Sequence, residues 1–206
     1  TKTSDLEVAQ MSRGIGIDIA VDLKGFTQDS RIGIFAEHCA PLQINYLGYP
    51  GTLAASYFDY IVADKTLIPR ESQHYYTEKI IYLPHSYQVN DSKRKISDRV
   101  FTRQELGLPE SGFVFCCFNN NYKILPATFD VWMRLLKTVD ASVLWLLQDN
   151  PTAAKNLRKE AEIRGIDPDR LVFAPRMKLE EHLARHRVAD LFIDTLPYNA
   201  HTTASD

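Results

Sequence analysis

Apolar and polar positions alternate in blocks along most of this chain, and the blocks have two sizes. Residues 15–23, IGIDIAVDL, are rich in β-branched side chains and bounded by Gly14 and Gly25, which predicts a buried strand. The residues before them are expected to run quickly into that strand. Residues 31–39 predict a short helix, and 42–47, 58–64 and 79–84 three further strands. Residues 90–99, NDSKRKISDR, carry no face that a core could bury, and so predict a linker.

The rhythm then repeats more regularly. A short amphipathic turn at 102–109 leads into a strand at 112–119. Pro126 opens a helix in which Phe129, Trp132, Met133 and Leu136 share one face. Residues 142–147, SVLWLL, read as a strand, and 152–164 as a helix closed by Gly165. A strand at 170–175, a helix at 178–187 and a strand at 190–194 complete the series. Continuous apolar strands separated by helices imply parallel sheets covered on both faces. The expected fold class is therefore α/β, in two units joined by the linker at 90–99. GxGxxG is absent, which removes the usual support for a dinucleotide.

Composition narrows the chemistry. A net charge of −2 gives no global basic field of the kind nucleic-acid binding uses. Cys39, Cys116 and Cys117 lie in apolar surroundings without metal or disulfide spacing, which suits a reducing, cytoplasmic compartment. The apolar runs are strand-sized, too short to span a membrane. With no initiator Met, and a final stretch that opens like a helix, both ends read as cut from something longer.

In open α/β sheets, ligands bind beyond the carboxyl ends of strands, so the loops that follow strands are the candidates. In NNNYK, 119–123, Lys123 can meet a phosphate as a point charge, or simply be a solvated lysine on an Asn-rich turn. His201, Thr202 and Thr203 open a helical turn whose free N–H groups and hydroxyls suit an anion, although a threonine N-cap is the commoner use. His182 and His186 stand four apart on a helical face, a zinc spacing without a third ligand. His182 and Arg185 could instead flank a planar base. In YLGYPGT, 46–52, glycine permits a sugar or phosphate to approach the backbone, or serves an ordinary Pro-Gly turn.

Together LKGFT, LQINYLGYPGT, CCFNNNYKI and ADLFIDTLPYNAHTTASD resemble the catalytic region of O-linked N-acetylglucosaminyltransferases of bacterial and plant type. The resemblance runs from about residue 14 to the end. It implies a GT-B fold of two Rossmann-like lobes, here an incomplete fragment of both. Residues 1–95 would be the later part of the N-terminal lobe, and 96–206 the first part of the UDP-sugar-binding lobe. It also implies tetratricopeptide repeats ahead of the catalytic part. By position, Lys123 matches the lysine on the donor diphosphate, Asn120 a nucleotide contact and Tyr122 an active-site tyrosine. His182 matches the histidine packed on uracil, Arg185 a residue bordering that base, and Met177 the residue whose backbone reads its edge. His201, Thr202 and Thr203 match the diphosphate turn, and Asp206 the ribose-holding aspartate. Leu47 and Gly48 match the lining of the sugar pocket, and Asp18 the place of an active-site histidine in animal enzymes. A lysine that pairs with the ribose in animal members aligns with Leu179, and Lys178 is the neighbouring substitute. The large insert those enzymes carry between lobes is absent.

The implied reaction is inverting, metal-independent transfer of N-acetylglucosamine from UDP-GlcNAc to protein Ser and Thr hydroxyls, with no cofactor and no membrane or nucleic-acid partner. Two other readings stand beside it: a non-catalytic nucleotide-sugar or protein-binding module, and a GT-B transferase using another donor such as GDP-fucose.

Overall fold

The computed structural model describes residues 3–206. The chain divides into two compact units, Thr1–Val89 and Asn90–Asp206.

In the first unit, helix α1 (Asp5–Gly14) precedes strands β1 (Ile19–Asp22), β2 (Leu42–Asn45), β3 (Tyr60–Ala63) and β4 (Lys79–Tyr82), with the short helix α2 (Gly33–Ala36) between β1 and β2. Helix α1 was not expected, since this stretch was to run directly into a strand. Its signal is the S-x-x-E of SDLE: the Ser4 hydroxyl accepts from Glu7 N while the Glu7 carboxylate accepts from Ser4 N, a reciprocal cap. The strands are parallel and lie in the order β1-β2-β3-β4. Phe35 stacks on Phe58 with ring centroids 5.0 Å apart, in a core completed by Ala9, Cys39 and Leu53. Buried Gln43 fixes the neighbouring loops by donating to Phe35 O and Tyr57 O and accepting from Cys39 N.

The second unit contains β5 (Val114–Cys117), α3 (Pro126–Thr138), β6 (Val143–Leu147), α4 (Pro151–Ile163), β7 (Leu171–Ala174), α5 (Leu179–Arg185), β8 (Leu191–Phe192) and α6 (Thr202–Ser205). Every residue of β5 is buried because the sheet is covered on both faces. Phe115 and Cys117 pack with Phe129, Trp132, Met133 and Leu136, the predicted face of α3. Val114 and Cys116 point the other way, toward Phe101, Trp145 and Ala184. Burial pushes the Cys116 thiol up to about 12 and the Cys117 thiol up to about 11, so neither is a nucleophile at neutral pH.

These strands are also parallel, but their order is β7-β6-β5-β8. The chain winds outward from β5 in one direction and then crosses to its other side. That reversal lies between β5 and β8, the kind of point where doubly wound sheets open a crevice for ligands. The first sheet has no such reversal. The polar stretch expected as a linker is bonded to the second unit, where Ser97 N donates to Glu180 O at 3.0 Å.

Candidate functional site

The two strands flanking the reversal send their loops to the same place. After β5 come Phe118, buried Asn119, Asn120 and a 3-10 turn at Asn121–Lys123. After β8 come Asp194, fully buried Thr195 and a loop that leads into α6. Asn119 ties them together: its amide donates to Asp194 Oδ1 at 3.0 Å and to Thr195 Oγ1 at 2.8 Å. Lys123 reaches across in the same way. Its ammonium donates to Asn199 O at 3.1 Å and sits 4.5 Å from the centre of the Tyr198 ring. On that same ring His201 stacks, with centroids 5.9 Å apart. Burial, then the charge of Lys123, lowers the His201 pKa and keeps its imidazole neutral.

Beside this junction lies a cavity of about 310 Å³, lined in part by Asn120, Met177, His182, Arg185, Thr203 and Asp206. Six of the predicted donor residues therefore converge on one space. One wall is built on a buried guanidinium. Arg185 is fully buried, with Nη1 donating to Pro175 O at 2.7 Å and Nη2 contacting His182 Nδ1 at 2.7 Å. Its Cζ lies 4.6 Å from the Phe118 ring centre and 5.6 Å from that of Trp145, so two aromatic faces take the place of a counter-ion. Burial lowers its pKa to about 10, which leaves it charged at neutral pH.

A guanidinium can only donate, so His182 Nδ1 must accept and its proton resides on Nε2. Burial, with the charges of Arg185 and His186, holds the His182 pKa down to about 4. The ring is therefore neutral, a flat face suited to stacking on a base. His186 in turn places its Nδ1 2.7 Å from His182 O. Among the described residues, no group of three or more His, Cys, Asp or Glu is placed to hold a metal ion.

The lowered histidine has a measurable consequence. Between pH 6.5 and about 4 the unfolded chain binds a proton at His182 that the folded chain refuses. Its contribution to stability is complete above pH 6.5 and is lost as pH falls through that window. His186 and His201, both lowered first by burial, act with the same sign. Urea denaturation at pH 7 and pH 5 is expected to show a smaller loss of stability on acidification for His182→Gln than for the native chain. Equal losses would show that His182 titrates as a solvent-exposed imidazole.

Other expected residues are placed differently. Tyr122 is 70% exposed on its turn and does not line the cavity. Thr202 is exposed, whereas Thr203 faces the cavity. His201, not a threonine, occupies the N-cap position of α6, and no side chain caps that helix. The Asp206 carboxylate is paired by Arg94, from the polar stretch. Sequence reading missed Arg94 because nothing local marks one cation among several in NDSKRKISDR.

In the first unit, Leu47 and Gly48 follow β2 at the carboxyl edge of the sheet. A Cβ on Gly48 would stand 2.1 Å from Leu23 O, so the close approach that requires glycine is by the chain's own backbone. Buried Asn45 shapes the same loop by donating to Tyr49 O and Gly51 O. Asp18 is not brought together with Leu47 and Gly48. It precedes β1, at the amino edge, in a separate cavity with Arg13 and His38. The acidic residue at the carboxyl end of β1 is Asp22, which accepts from Lys24 N and Gly25 N.

Among the described residues, no helix is long and apolar enough to cross a membrane. Residues 3–100 and 96–206 match glycosyl transferase family 41. The chain is 40% identical over 195 residues to a probable UDP-N-acetylglucosamine–peptide N-acetylglucosaminyltransferase of Arabidopsis thaliana, covering 92% of this chain and 20% of that protein. It is 26% identical over 302 aligned positions to the UDP-N-acetylglucosamine–peptide N-acetylglucosaminyltransferase of Caenorhabditis elegans, covering 93% of this chain and 26% of the relative. A solved structure of a mutant Thermobaculum terrenum O-GlcNAc transferase superposes with a TM-score of 0.84 at 29% identity, over 98% of this chain and 38% of that one. The chain thus spans about a fifth to two fifths of the proteins it matches.

Proposed function

The chain belongs to glycosyl transferase family 41 and has its α/β GT-B architecture, and on that footing we propose that it serves an enzyme transferring N-acetylglucosamine from UDP-GlcNAc to Ser and Thr hydroxyls of proteins. The first unit is then the later part of the N-terminal catalytic lobe. The second is the donor-binding part of the C-terminal lobe. The reading extends to a cytoplasmic enzyme with tetratricopeptide repeats elsewhere in its chain, as is usual for the family members this sequence resembles.

The observation that carries the reading is the convergence at the strand-order reversal: a base-sized cavity on one side, and a lysine beside the first turn of α6 on the other. The neutral His182 ring, held by Arg185, takes the uracil face, while Asn120 and the Met177 backbone approach its edges. Asp206, oriented by Arg94, takes the ribose hydroxyls. Lys123, His201, Thr202 and Thr203 take the diphosphate, with Tyr122 beside them. Helix α6 has four residues, too few for a large summed dipole, so its contribution is the N–H groups and hydroxyls of a single turn. On the first unit the proposal keeps Leu47 and Gly48 as backbone against the sugar.

In the reaction, the acceptor hydroxyl oxygen forms a bond to the sugar's anomeric carbon as the bond to the diphosphate oxygen breaks. UDP departs with the bonding pair, and the hydroxyl's proton passes to solvent water. The barrier lies largely in the charge growing on the diphosphate, and a fixed ammonium stabilises that charge without needing a metal ion.

Calorimetry with UDP tests the donor site: micromolar binding is expected, released by UDP-GlcNAc and not by GDP-fucose. A folded sample that binds no UDP favours a non-catalytic module. Preferential competition by GDP-fucose favours a transferase of another sugar.

A further inference from the structure

Among the described residues, Asp194 is the carboxylate at the strand-order reversal that the donor reading leaves without a role, and its hydrogen bonds all point inward. Oδ1 accepts from Thr195 N at 2.7 Å, Ala200 N at 2.8 Å and Asn119 Nδ2 at 3.0 Å. Oδ2 accepts from Asn199 Nδ2 at 2.9 Å. Burial alone would raise its pKa, but these four donors outweigh burial and hold the carboxyl below the usual range. A carboxylate so engaged is a poor general base. It would also repel a diphosphate if its charge were turned toward one, and the four N–H dipoles absorb that charge instead.

The geometry of the bonds shows what the carboxylate does. Thr195 N and Ala200 N lie at the two ends of one loop, so a single oxygen closes that loop on itself. The Thr195 hydroxyl, fully buried, donates to Tyr198 O at 2.8 Å and completes the closure from within. The loop presents Asn199 O and the Tyr198 ring to Lys123, and His201 to the same ring. Asn119 carries the restraint across to the loop after β5, whose 3-10 turn ends at Lys123.

We propose that Asp194 is a positioning residue for the diphosphate end of the donor: its carboxylate clasps the two loops so that Lys123 and the turn at His201–Thr203 face one phosphate-sized place. This rests on the UDP reading above. The base end is held separately, by α5 through Arg185 and Pro175, and that separation is what makes the clasp testable.

UDP and uridine share the base and ribose and differ in the diphosphate. In the whole chain, Asp194→Ala is expected to weaken UDP binding by about 10–100-fold, the worth of the one charge-assisted contact from Lys123 that the clasp positions, while uridine binding changes less than about twofold. Asp194→Asn keeps an acceptor oxygen for the backbone N–H groups but sets an amide donor against the Asn119 or Asn199 amide. It is expected to fall between the native chain and Asp194→Ala with the same selectivity for UDP, and it serves as the test if the alanine variant does not fold. Equal weakening of both ligands, or no weakening of either, overturns the clasp. A native chain that binds uridine and UDP equally well also overturns it, because no diphosphate site would exist to position. A native chain that binds neither overturns the donor reading itself.

Discussion

Under the proposed transferase reading, replacing Lys123 by Ala in the full-length enzyme is expected to lower the rate of GlcNAc transfer to a peptide by about 10²–10³-fold, the effect of removing one preorganised donor from a developing oxyanion. The thermal midpoint of the protein should stay where it was. Both halves of that expectation come from geometry. The ammonium's contacts are a hydrogen bond to Asn199 O, on the exposed side of the loop, and the face of Tyr198, itself 47% exposed. Interactions of this kind contribute little to folding. They do hold a positive charge still, in a place where a diphosphate could replace the Asn199 carbonyl as its partner. Fixing that charge in advance is what lowers the barrier, since nothing has to reorganise as the leaving group separates. Lys123→Arg should recover only part of the rate, because a planar fork cannot occupy the site of a compact point charge. Native-like turnover in the alanine variant would remove Lys123 from the chemistry. A large drop in thermal midpoint would recast it as a structural residue.

Much of this architecture was legible because the strands are short apolar runs punctuated by Gly, Pro and Asp. All eight were expected close to where they lie, each trimmed where its ends leave the ladder. Trimming had one important effect. The run at 15–23 reads as one strand with Asp18 inside it, yet only Ile19–Asp22 pairs with β2. Asp18 therefore falls before the strand, at the edge away from Leu47 and Gly48, and Asp22 takes the carboxyl end. Helix α1 was missed although its capping signal was present, because the apolar run that follows dominated the reading. Within the site, single residues at loop tips were nameable from motifs. The contacts between them were not, since Asn119 and Asp194 are 75 residues apart and no local pattern announces such a pair. The same holds for Arg94 and Asp206, separated by 112 positions.

Arg185 illustrates how one residue can serve both fold and site. Arg185→Ala is expected to destabilise the second unit by about 3–5 kcal/mol, the range for truncating a large buried side chain. Three losses combine. The side chain is fully buried between α5 and β6, so its removal leaves a void against Phe118 and Trp145. Pro175 O and His182 Nδ1 lose their donor, and each unpaired buried acceptor costs about 1–3 kcal/mol. The cation–π contacts vanish as well. Arg185→Met separates these effects, because it refills most of the volume while still leaving both acceptors unpaired. Its cost should be about 2 kcal/mol, the lower bound for two unpaired acceptors, and below that of the alanine variant. Trp145 stands against the guanidinium, so its fluorescence in a urea titration is a suitable probe. For the surviving folded protein, the second expectation concerns the histidine. Without the adjacent positive charge, one cause of its lowered pKa disappears, and His182 should titrate at a higher pH in an NMR titration of the ring. With Nδ1 no longer obliged to accept, the proton is free to move to it, and the ring loses its fixed orientation toward the cavity. UDP affinity should then fall even in the methionine variant, where the packing is largely restored. If Arg185→Met instead keeps both the native histidine pKa and native UDP binding, burial alone sets the state of His182, and the guanidinium serves only to fill space.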